Sequence, residues 1–141
     1  MIIIKNKKKK FGFMFGVYFV NKETKAVESA EVMVREPIDD VNSTRTFIDT
    51  IIHRRLLFNV LNYKNINKEV EVYLIDKHNK VTKFTPESIN VVGMHYNHPN
   101  RVLMNVDIDI YDIEMSTKEF DSFVKQITTK SIIIPELLES N

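Results

Sequence analysis

Two stretches decide the fold: RVLMNVDIDIYDIEM (residues 101–115), the more informative, which fixes an antiparallel sheet, and FGFMFGVYFV (residues 11–20). Phe11, Phe13, Phe15, Val17 and Phe19 share one face of a strand, and Gly12, Met14, Gly16 and Tyr18 share the other. Both faces are apolar, which is the pattern of a central or doubly covered strand rather than one half-open to water. The two glycines mark the close approach of another backbone or a sharp bend in the sheet. Asn21 to Thr24 is polar enough to turn, and Val27 to Arg35 returns with Ala30, Val32 and Val34 on one side, completing a hairpin.

Downstream, Pro37, Asp39, Asp40 and Asn42 interrupt the strand pattern. Ser43 or Thr44 then caps a helix whose apolar positions Phe47, Ile48, Ile51, Ile52, Leu56 and Val60 follow helical spacing, and which ends near Asn62. Val70 to Asp76 and Val81 to Thr85 form a second hairpin around Lys77 to Lys80. A third joins Ile89 to Met94 with a long strand from Arg101, through the turn-forming residues Tyr96, Asn97, His98, Pro99 and Asn100. In that strand, RVLMNVDIDIYDIEM (residues 101–115), Val102, Met104, Val106, Ile108 and Ile110 alternate with Asn105, Asp107 and Asp109. A period of two predicts a half-buried antiparallel strand with the two acids side by side on its open face. Ser116 with Glu119 three residues later spells a capping box, and Phe120, Phe123, Val124 and Ile127 supply the buried stripe of the helix it starts. Ile132 to Ile134, before Pro135, adds an edge strand or packs as an extended tail.

The predicted class is therefore α+β, in the order β-β-α-β-β-β-β-α: mainly an antiparallel sheet of hairpins with two helices packed on one face. The expected organisation is a basic arm over residues 1–10, a single domain over 11–130 and a C-terminal tail over 131–141. Only 3 glycines and 4 prolines argue against long flexible loops.

With 141 residues, 43% of them hydrophobic, the chain can bury roughly 68–70% of its unfolded surface in one core. There is no cysteine, which excludes disulfides, thiolate zinc sites and cysteine nucleophiles together. The N-terminus reads apolar first and basic second, the reverse of a secretory signal. The longest uncharged run, residues 11–20, is about half of the ~20 residues a spanning helix needs. The expectation is a soluble cytoplasmic protein with no membrane partner. Ile, Lys and Asn supply 45 of the 141 residues, a bias that AT-rich coding sequence produces and that suits a low-GC bacterium or one of its phages.

The net charge of +1 is unevenly spread. Residues 1–64 carry 12 basic and 7 acidic groups, and residues 65–141 carry 8 basic and 12 acidic, so the halves stand at +5 and −4. Such a gradient attracts an anionic partner or docks one subunit on another.

Four constellations carry what chemistry the sequence offers. Asp107 and Asp109 are candidate metal or acid/base carboxylates, for which the plain alternative is a solvated strand face. His95 and His98 are candidate metal ligands in the turn before that strand, roughly 20–30 Å from the acids at ~3.3 Å per residue, and would need a third ligand from elsewhere. His78, in another loop, has no sequence link to either pair. Lys5, Lys7, Lys8, Lys9 and Lys10 precede the aromatic run and are candidate contacts to nucleic acid, although Phe11 to Phe19 belong in a core and a basic run also guards a sheet edge. Arg45, Arg54 and Arg55 on the first helix complete a candidate anion or nucleic-acid site, unless Asp39, Asp40 or Asp49 neutralise them.

Phosphate-cradling glycine loops, nucleophile elbows and His-Glu-x-x-His are all absent. No catalytic residue or cofactor is assigned, and an enzyme is the weaker expectation. The favoured reading is a small non-enzymatic interaction protein that binds another protein or itself, such as a phage or mobile-element protein acting on a host factor. The alternatives are binding of nucleic acid or another anion through the basic arm and helix arginines, and a metal-assisted phosphodiesterase or nucleotide-processing enzyme.

Overall fold

The computed structural model describes residues 8–37, 41–84, 91–95, 98–104 and 108–135, with the backbone alone for 41–51, 91–95 and 98–104. Seven strands and two helices are present among them: β1 Lys8–Asn21, β2 Val27–Arg35, α1 Val41–Asn65, β3 Val70–Ile75, β4 Val81–Phe84, β5 Val91–His95, β6 His98–Met104, β7 Tyr111–Ser116 and α2 Thr117–Thr128. The α+β class and the antiparallel sheet of hairpins are as the sequence predicts.

The 14-residue β1 organises the sheet. One of its edges pairs with β2. The other carries β7 along Lys8 to Phe13 and β3 along Gly16 to Asn21, laid end to end, with β4 outside β3. All these pairings are antiparallel. Every β1 residue from Phe11 to Val20 is buried, so the doubly covered reading of FGFMFGVYFV holds.

Two apolar clusters account for that burial. Phe13, Phe15, Val17 and Phe19 join Met33, Val72, Leu74, Phe84 and the α1 residues Ile52 and Leu56. Met14, Tyr18 and Val20 join Tyr73, Ile75, Ile113, Met115, the α2 residues Phe123 and Ile127, and Ile134. The helices therefore cover opposite faces of the sheet, which corrects the expectation that they share one. The hairpin pattern suggests a one-sided sheet, but a central strand that is apolar on both sides needs a cover on each.

The alternation changes phase at one point on both β1 and β7. Phe11 and Ile113 are register partners in the α2 cluster, whereas Phe13 and Tyr111, the next partners in register, belong to the α1 cluster. Gly12 lies between them on β1 and Asp112 on β7, the latter with a left-handed φ of 55°. A Cβ on Gly12 would lie 3.0 Å from the Glu36 carbonyl oxygen, and one on Gly16 would lie 2.4 Å from Ile127 Cδ1. Both glycines thus mark close approaches, the first of backbone and the second of the α2 side chain that fills the space.

A second correction concerns residues 101–115. They are not one strand: β6 pairs with β5 in a separate two-stranded sheet, packed beside α1, while β7 pairs with β1. Ile108 to Ile110 lie outside any strand, with Ile110 buried in the α1 cluster and its carbonyl accepting from the Met14 N–H at 2.9 Å. The period of two runs on across the break, and β7 is half-buried. Passing from one sheet to the other nevertheless ends the ladder.

After α2 the chain is an extended tail, not an edge strand. Ile132 and Ile134 pack into the α2 cluster.

Candidate functional site

A concavity lies between β2 and the C-terminal half of α1. A bulge between Phe19 and Val20 of the β1/β2 register leaves Glu28 without a partner in that ladder. It sets Ser29, Glu31 and Met33 on the α1 face. α1 continues to Asn65, one turn beyond its predicted end, which brings Tyr63 onto the stripe of Leu56 and Val60. The Ser29 and Tyr63 hydroxyls bond each other across the gap. Glu31 accepts from Arg55 Nη2 at 3.4 Å and from the Asn59 amide at 3.5 Å. The cleft these groups define holds about 320 Å³, with Phe19 at its base and Asn62 and Ile66 at its lip. That volume sits at the small end of ligand pockets.

The hydroxyls satisfy each other, and Glu31 is already engaged by a guanidinium and an amide. His53 lies about 15 Å from Tyr63 along the helix axis, so no general base stands beside the hydroxyls from that quarter. The cleft presents amides, hydroxyls and an apolar floor.

Outside the cleft, one residue before Ser29 on β2, Glu28 accepts from Lys68 Nζ and from the Asn21 amide, both at 3.0 Å. The Lys68 bond first, then that from Asn21, holds the Glu28 carboxyl below the usual glutamate range. On β3, burial pushes the Glu71 carboxyl up, but the Tyr73 hydroxyl at 2.9 Å and Lys83 Nζ at 3.3 Å outweigh it, leaving a net lowering.

Of the sequence candidates, Arg55 borders this cleft, paired with Glu31, and Arg54 is exposed one position away; Asp39 and Asp40 lie outside the described residues. Arg45 lies in the part of α1 described by backbone alone. Lys8, Lys9 and Lys10 lie within β1, in register with Ser116, Met115 and Glu114. Lys9 Nζ stands 5.5 Å from the Phe11 ring centroid, and Phe11 to Phe19 are buried, so the aromatic run offers no stacking platform. Lys5 and Lys7 lie outside the described residues.

His95 and His98 are register partners at the tip of the β5–β6 hairpin. Asp107 lies outside the described residues. Asp109 lies in the break between β6 and β7, where its carboxylate comes within 3.8 Å of Lys77 Nζ and 4.0 Å of His78 Nε2. Its N–H donates to buried Asp76 at 3.4 Å, and Asp76 also accepts from the N–H groups of His78 and Lys80. This corner joins Asp109 to His78, an association the sequence does not indicate. Among the described residues no group of three His, Asp or Glu side chains is placed to hold a metal ion.

The sequence reading passes over Ser29, Glu31, Asn59, Asn62 and Tyr63. The only local signal for any of them is the continuation of helical spacing from Leu56 and Val60 to Tyr63. Among the described residues no helix is long and apolar enough to cross a membrane. Comparison of the chain with protein-family models, with curated proteins and with solved structures finds no match.

Proposed function

We propose that this chain is a small non-enzymatic binding protein whose ligand is polypeptide, engaged at the corner formed by β2 and α1. The observation that carries the reading is the cleft between β2 and α1, walled by the Ser29 and Tyr63 hydroxyls and the Asn59 and Asn62 amides, with the apolar side chain of Ile66, 61% exposed, at its lip. Apolar anchors set among hydrogen-bonding groups are the composition of a protein-binding surface. Action on a host factor belongs to the same proposal and is supported by size and composition only.

The test is the solution mass of the chain, gently purified from expressing cells, by size-exclusion chromatography with light scattering at low and high salt, before and after nuclease. A species heavier than the 16.6 kDa chain that survives high salt and nuclease, with little absorbance at 260 nm, is the expected result. A bare monomer in every condition counts against the reading. A salt-sensitive complex containing nucleic acid would replace it with phosphate binding through Lys8 to Lys10 and the helix arginines, because counterion release makes such binding steeply salt-dependent.

A further inference from the structure

No further inference is drawn: the strongest candidate, the apolar strip of Phe58 and Leu61 on α1, 63% and 52% exposed, is a bare helix face, and nothing in the structure shows what covers it.

Discussion

The Tyr18 hydroxyl accepts a hydrogen bond of 3.1 Å from the backbone N–H of Ile132, tying the middle of β1 to the tail beyond α2. Tyr18 is fully buried, and burial pushes its phenol above the ordinary range, partly offset by the Ile132 bond. Tyr18→Phe leaves that N–H without its acceptor and is expected to cost about 1–3 kcal/mol. Urea denaturation measures the loss, and hydrogen exchange should show faster exchange confined to residues 131–135.

The same phenol gives an alkaline signature. A folded pKa above the unfolded value of about 10 means that the stability it contributes is complete below pH ~10 and is lost as pH rises through the folded value. The slope of stability against pH above 10 should therefore be shallower in Tyr18→Phe than in wild type. Equal slopes would show that Tyr18 does not titrate with unfolding.

Gly16 and Ile127 form a coupled pair. A Cβ at 2.4 Å from Ile127 Cδ1 cannot be accommodated in place, so Gly16→Ala displaces α2 and is expected to cost about 1–3 kcal/mol. Ile127→Ala also destabilises, through the cavity it opens. The double variant should be more stable than the sum of the two losses allows, and a thermodynamic cycle by chemical denaturation measures the coupling.

The Ser116–Glu119 box, visible from spacing alone, forms with both of its bonds, at 3.1 Å to the Ser116 hydroxyl and 3.2 Å from the Ser116 N–H. Ser116→Ala is expected to lose about 1 kcal/mol. The Ser116 N–H first, then its hydroxyl, holds the Glu119 carboxyl below its usual range. Its contribution is thus present above the unfolded glutamate value and is lost as pH falls through the lower folded one. Acid titration of stability in Glu119→Gln should lack that component.

Asp112 adopts a φ of 55°, which aspartate tolerates and a β-branched residue does not. Asp112→Val should destabilise by about 1–2 kcal/mol, whereas Asp112→Gly should stay near wild type. Thermal melts of the pair separate the backbone effect from loss of the carboxylate.

What was legible in the sequence is what depends on spacing within one element. The two apolar faces of residues 11–20 and the capping box belong to that class, as does the stripe of α2. What was not legible depends on which element supplies the partner. Residues 101–115 keep their alternation while passing from β5's partner to β1's, because a period of two reports a face and not a neighbour. The β2–α1 cleft needs both the bulge at Glu28 and the last turn of α1, two features 35 or so positions apart in effect yet silent in local pattern. His78 meets Asp109 only because the β3–β4 turn and the approach to β7 fold to the same corner.

The centrality of β1 also has a kinetic consequence. Its partners β3 and β7 begin at Val70 and Tyr111, so a strand made early finds its full complement of neighbours only after most of the described chain exists. Until then a run that is apolar on both sides and rich in aromatic and β-branched residues stands without sheet partners on one edge. Late pairing of this kind slows folding and exposes the nascent chain to association. Synthesis rate and chaperone supply, more than native stability, should govern how much folded protein a cell accumulates.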